Sequence, residues 1–261
     1  MFKLINLVYL IIIVLIASLF VYSNFEHEKK TIYVGVDGYS APFCITNDIG
    51  ELRGYNIDLM NSIAHALNIK VEYRIIPFTA LQECLRLGTV DAVIAPFDSN
   101  KRQNQKYTSF TEPYYKNYLS YVVKETNRHF NLTNDGVEGK NICVVEKQRI
   151  LEYVRKYLYK ARLSIYSSSQ ASFKGLFEGF CDAVVDTKSS NEYYITKHKL
   201  RRLDVKKHSG KYSPGRTYRI AVKKGNDNLV SDLNKGLLYV KQTGEFDKIN
   251  RKWFSSVQDK Y

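Results

Sequence analysis

The chain has no Gly-x-x-x-x-Gly-Lys-Ser/Thr phosphate loop, no Gly-x-Gly-x-x-Gly, no His-Glu-x-x-His and no Gly-x-Ser-x-Gly. The short motifs of nucleotide-binding, zinc-peptidase and hydrolase sites are therefore missing. Histidine is scarce: the five residues 27, 65, 129, 198 and 208 have no ligand-like spacing. Cysteine is scarcer still. Cys44, Cys84, Cys143 and Cys181 include no Cys-x-x-Cys pair, so clustered thiols are not expected to hold a metal. Acidic residues are in the minority, 26 against 39 Lys and Arg, for a net charge of +13. Between residues 197 and 224 eleven basic residues accompany one acid, Asp204. A charge run of this kind reads as a solvated face unless a base-reading module accompanies it. No helix-turn-helix, zinc-finger or RNA-recognition signature does, and no low-complexity tract or long linker is present.

What is there is the makings of a globular protein. Hydrophobic residues are 44% and charged residues 25% of 261, ordinary values that exclude disorder for the bulk of the chain. One long apolar run exists. Lys3 precedes residues 4–22, interrupted only by Asn6 and Ser18. A basic start and an apolar centre read as a secretory signal, and the run is also long enough to span a bilayer as an anchor. Val21 and Ser23 form a weak cleavage site, and no cysteine precedes Cys44. Segment 1–30 is thus read as a signal peptide or membrane anchor, with the remainder outside the cytoplasm. In an exported chain four cysteines permit disulfides in three pairings, among which the sequence does not choose. Cys143 and Cys181 lie in or beside apolar strand patterns, where buried free thiols are the other reading.

After residue 30 the pattern alternates short apolar runs with helical ones. Residues 31–36 read as a strand. Residues 54–67 read as a helix, with Asn56 as its cap and Ile57, Met60, Ala64 and Leu67 on one face. Val71, Tyr73 and Ile75 alternate with Glu72 and Arg74, as in a half-buried strand. A helix over 79–87 closes at Gly88, and a strand starts at Asp91. Following a strand at 118–124 the unit restarts: strand 142–145, helix 150–159, strand 163–166, helix 172–177, strand 182–185. A strand at 218–222 and two helices ending near Trp253 close the chain. Two tandem α/β units leave a cleft at the carboxyl ends of their strands, where ligands bind in open α/β sheets.

Six short blocks occur in order: Ala41-Pro42-Phe43; Gly54-Tyr55-Asn56-Ile57-Asp58-Leu59; Gly88-Thr89-Val90-Asp91; Phe110-Thr111-Glu112-Pro113-Tyr114-Tyr115; Gly179-Phe180-Cys181-Asp182-Ala183-Val184; and Thr243-Gly244-Glu245 with Lys252-Trp253-Phe254. In type and order they resemble the extracytoplasmic solute-binding proteins of amino-acid ABC transporters. The resemblance implies an α/β two-lobed, periplasmic-binding-protein-like clamshell with two hinge crossings, near Val122 and Tyr218. Lobe 1 would take residues 31–121 and 217–261, and lobe 2 residues 122–216.

The same resemblance implies site residues. Arg102, after the strand at Asp91, would grip a ligand carboxylate with its planar fork, and Asp186 in the second lobe would hold the ligand ammonium. Phe78 matches an apolar wall. The aromatic expected near Ser40 is displaced to Tyr39. Ordinary surface or core roles compete with these for Arg102 and Phe78. Two departures alter the pocket. Lys147-Gln148-Arg149 replaces the family's usual Gly-Thr-Thr at a helix start, where the helix N-terminus and the basic side chains still favour an anion. Asp98 stands where a small hydroxyl residue is usual, which puts a standard α-amino acid in question. The expected function is capture of a small polar solute, an amino acid, for the membrane permease of an ABC importer. A monomer with no cofactor, no nucleic-acid partner and no enzymatic activity is expected. The alternatives are an exported dehydratase of prephenate-like acids on the same fold and an anchored ligand-sensing domain.

Overall fold

The computed structural model describes residues 29–47, 49–97, 106–207 and 215–254, with residues 9, 11–14 and 16; of Gln148 and Arg149 only the backbone is described. Most of the apolar run read as a signal or anchor thus lies outside the described residues. Among these, no helix is long and apolar enough to cross a membrane.

The first unit runs β1 (Thr31–Val36), β2 (Ile45–Thr46), β3 (Leu52–Arg53), α1 (Tyr55–Ala66), β4 (Lys70–Ile75), α2 (Leu81–Leu87), β5 (Ala92–Val93) and β6 (Thr108–Asn117). The second runs β7 (Leu119–Lys124), β8 (Asn141–Val145), α3 (Gln148–Tyr157), β9 (Arg162–Tyr166), α4 (Ser169–Glu178), β10 (Ala183–Thr187), α5 (Lys188–Lys197) and β11 (Leu203–Lys207). The chain then returns with β12 (Arg216–Lys223), α6 (Asp227–Gln242) and α7 (Glu245–Phe254). There are two five-stranded sheets, ordered β4-β1-β5-β12-β6 and β9-β8-β10-β7-β11. Each has three parallel strands, the first in sequence at their centre, extended by two antiparallel ones. The chain passes between sheets at Tyr118 and again between β11 and β12, so Val122 lies inside the second sheet and Tyr218 inside the first.

The repeated Gly-x-x-Asp block performs the same local work in both units. Gly88 and Gly179 close α2 and α4 in the left-handed conformation, at φ 78° and 83°, which glycine adopts without Cβ strain. Three residues on, each aspartate extends the parallel ladder. The Asp91 carboxylate accepts from the Tyr33 N–H at 2.8 Å, and that of Asp182 from the Asn141 N–H at 2.8 Å. Each aspartate's own N–H donates to the carbonyl of the same partner residue, again at 2.8 Å.

Most of the other family-like blocks meet in one aromatic cluster. Phe43 lies 5.0 Å from Tyr115 and 5.2 Å from Tyr218, and Phe254 lies 5.3 Å from Tyr55 and 5.2 Å from Tyr115, centroid to centroid. These are favourable edge-on and tilted separations. Asp58 ties the closing helix to α1, accepting from Lys252 Nζ and Trp253 Nε1 at 2.7 Å each. Gly54, at φ 142°, lets the N-terminus of α1 abut the Pro-Phe loop. The Tyr55 and Asn56 N–H groups donate to Pro42 and Phe43 carbonyls at 3.0 and 2.9 Å, which satisfies helix donors without a side-chain cap. Asn56 is therefore not the cap. It is fully buried in the first turn and donates to the Ile94 carbonyl at 3.2 Å.

Several boundaries move. The second helix begins at Leu81 instead of 79, and α3 and α4 each start two or three residues earlier than the apolar pattern implies. The expected inward face of β4 is only partly buried, with Ile75 45% exposed, because β4 is a sheet edge. β6 is not among the expected strands, and it contains Pro113. At the edge of the first sheet that residue is tolerated, and the register with β12 shifts around Arg219. Cys143 and Cys181 are joined in a disulfide that links β8 to the turn before β10, so the free-thiol reading fails for this pair. Cys44 and Cys84 are free. The basic run is divided between the sheets: β11 carries Lys206 and Lys207 in the second, while β12 carries Arg216 and Arg219 in the first.

Candidate functional site

The carboxyl ends of the parallel strands collect the chemistry. In the second unit, Asp186 is the penultimate residue of β10 and is 1% exposed. Both its carboxylate oxygens accept from Lys147 Nζ, at 2.8 and 2.7 Å, and Oδ1 also accepts from the Thr187 N–H at 2.6 Å. The same Nζ donates to Ser190 Oγ at 3.0 Å. Lys147 is the extended residue capping α3, just beyond β8, and its side chain is 42% exposed. Sequence reasoning assigned Lys147 and Asp186 separately to a ligand's opposite ends. The structure joins them to each other. Ser190 and Thr187 escaped notice, because a hydroxyl one turn into a helix carries no signal without the fold.

In the first unit the loop after β1 carries Tyr39, 83% exposed, and Ser40, whose hydroxyl donates to Asp37. Asp37 is 5% exposed and its Oδ1 has no hydrogen-bond partner. Burial raises its carboxyl above the usual range, with the Ser40 hydroxyl acting the other way. A charged residue directly after an apolar strand was a readable signal for it. Phe78, beyond β4, is 42% exposed and leans on Phe97 at 5.1 Å. Arg102 and Asp98 lie outside the described residues, as do the side chains of Gln148 and Arg149. Among the described residues no group of three or more His, Cys, Asp or Glu could hold a metal ion.

The two crossings are pinned close together. Asn117, buried at the end of β6, donates to Ser189 Oγ at 2.8 Å and to the Tyr218 hydroxyl at 3.1 Å, and accepts from the Ser189 N–H at 3.3 Å. Helix α5 also meets α7, with Tyr193 and Trp253 6.3 Å apart. Glu192, on α5, is 2% exposed, and its Oε2 has no hydrogen-bond partner. Burial pushes its carboxyl up to about 7, against the opposing pull of Lys188.

Residues 32–256 match the family model for bacterial extracellular solute-binding proteins, family 3. The chain belongs to that family. Among curated relatives, ABC transporter arginine-binding protein 1 of Escherichia coli strain K12 is 28% identical over 94% of this chain and 98% of its own length. The L-cystine-binding protein TcyJ of the same strain is 22% identical over 89% of this chain and 86% of its own. A polar amino acid ABC uptake transporter substrate-binding protein from Streptococcus thermophilus shares the fold. Its TM-score is 0.77 at 23% identity, over 88% of this chain and 92% of that one. This solute-binding protein therefore has the two-lobed α/β architecture of its family, and its relatives are binding proteins. The blocks by which the family is recognised serve mostly to pack the first lobe and to start strands.

Proposed function

We propose that this solute-binding protein captures an amino acid outside the cytoplasmic membrane and delivers it to the permease of an ABC importer, acting as a monomer without catalysis. The observation that carries the reading is the charged set Asp186, Lys147 and Ser190 at the carboxyl end of the second sheet. It is complemented by the exposed aromatics Tyr39 and Phe78 at the carboxyl end of the first. A small molecule with one polar end and one apolar or extended end suits such surfaces. The names of the relatives support an amino acid. We place lobe 1 at residues 31–118 and from 216 on, by sheet membership, and lobe 2 between them. Arg102 is proposed as the carboxylate ligand from lobe 1, with Asp98 beside it. Gln148 and Arg149, at the start of α3, would face the same solute. A ligand held by both lobes favours the closed arrangement because only that arrangement supplies both sets of contacts.

Titration calorimetry of the purified chain with the common L-amino acids tests this. Saturable one-to-one binding of at least one, weakened by Arg102→Ala, is the expected result. No binding across the set would reject an amino acid as the solute.

A further inference from the structure

An ammonium nitrogen has three N–H donors and is best held by three acceptors arranged around it. Asp186 and Ser190 supply that arrangement, and the nitrogen inside it belongs to the protein. Lys147 Nζ lies 2.8 and 2.7 Å from the two Asp186 oxygens and 3.0 Å from Ser190 Oγ, which uses all three of its donors. The cup is rigidly built. The Asp186 side chain is 2% exposed and accepts from the Thr187 N–H, and Thr187 Oγ1 lies 2.9 Å from Ser190 Oγ. The lysine is its exposed half: its side chain is 42% exposed and enters from the cap of α3, on a different strand-to-helix turn 39 residues away in sequence. The cup also stands at the carboxyl ends of β8 and β10, neighbours in the sheet, where a ligand approaches an open α/β sheet.

We propose that Lys147 is a tethered occupant of an ammonium subsite formed by Asp186 and Ser190, so that a ligand's ammonium group has to displace it. The inference rests on the amino-acid reading for the identity of the competitor, though not for the existence of the cup. Two consequences follow. In the wild-type chain an ammonium group adds little to affinity, because each new contact to Asp186 replaces one already made by Lys147. The site then accepts a carboxylic acid lacking the α-ammonium nearly as well as the amino acid itself. Shortening Lys147 empties the cup, exposes a buried carboxylate and raises affinity for the ammonium-bearing ligand. A lysine that instead bound the ligand's carboxylate would have the opposite effect when removed.

The test uses the full chain, Lys147→Ala, Lys147→Met (which keeps the apolar stem) and Lys147→Ala/Asp186→Asn. Thermal melting is followed in methylammonium chloride and, at equal concentration, in tetramethylammonium chloride, which has the charge and no N–H donor. Methylammonium should raise the midpoint of the single variants selectively, and leave wild type and the double variant unmoved. L-Arginine, L-histidine, L-cystine and 5-guanidinopentanoate, the arginine analogue without the α-ammonium, are then titrated into wild type and Lys147→Met. The variant should bind an amino acid about tenfold or more tighter than wild type does. If arginine binds, wild type should distinguish it from its analogue by less than about tenfold, and the variant by more. Selective rescue by methylammonium without binding of any amino acid would leave the cup standing and reject the amino-acid reading. Equal effects of the two salts, or weaker amino-acid binding by the variant, would overturn the tethered occupant and leave that reading intact.

Discussion

Glu192 should make the stability of this protein depend on pH in a specific direction. Its carboxyl is 2% exposed, and the nearest cation, Lys188 Nζ, lies 3.6 Å away, beyond a good hydrogen bond. Tyr115 of lobe 1 and Tyr118 at the crossing lie near enough to feel it: their hydroxyl pKa is raised first by burial and then by this carboxylate. Burial raises its pKa from 4.5 to about 7. At about 1.4 kcal/mol per unit, protonated Glu192 is favoured in the folded chain by about 3 kcal/mol more than in the unfolded one. The folded state therefore holds more protons between those two values. Its stabilising contribution is complete below about pH 4.5 and is lost as pH rises through about 7. Urea unfolding of wild type and Glu192→Gln between about pH 5 and pH 8 isolates the effect, since the other titrating groups are common to both. The variant should gain on wild type across that interval and be more stable by roughly 2–3 kcal/mol at the upper end. Parallel stability curves would refute the assignment.

Gly54→Ala should lower stability by at least about 3 kcal/mol, because the new Cβ overlaps the Phe43 carbonyl and φ is 142°; thermal melting reads it. Reducing the Cys143–Cys181 bond, which closes a loop of 38 residues, should cost about 4 kcal/mol on chain-entropy grounds, measurable by urea titration with and without reductant. Asn117→Ala should cost about 2–3 kcal/mol, because it strips bonds from Ser189 and Tyr218 at both crossings. Phe78→Ala should weaken solute binding by about tenfold while moving the melting midpoint little, since the ring is 42% exposed; calorimetry beside thermal melting separates the two.

The tandem α/β plan was legible in the sequence because its signals are local. A glycine three residues before an aspartate ends a helix and starts a strand within a few bonds, and apolar alternation reports a strand's own burial. The blocks that placed the family were equally legible, since aromatic residues and Asp58 keep their order however far apart they finally lie. The folded chain decided the rest, because it depends on residues distant in sequence. Lys147 and Asp186 are 39 positions apart and meet only because β8 and β10 are neighbours in the sheet. Neither charge, read alone, could announce that its partner was inside the protein. The disulfide, one of three pairings, was chosen by the same adjacency, which brings the two Cα atoms to 5.7 Å. Pro113 sits within β6, which the fold places at a sheet edge where proline is tolerated. The pKa of Glu192 is likewise a tertiary property, because it comes from burial between α5 and the tyrosines of the crossing, not from its neighbours in the chain.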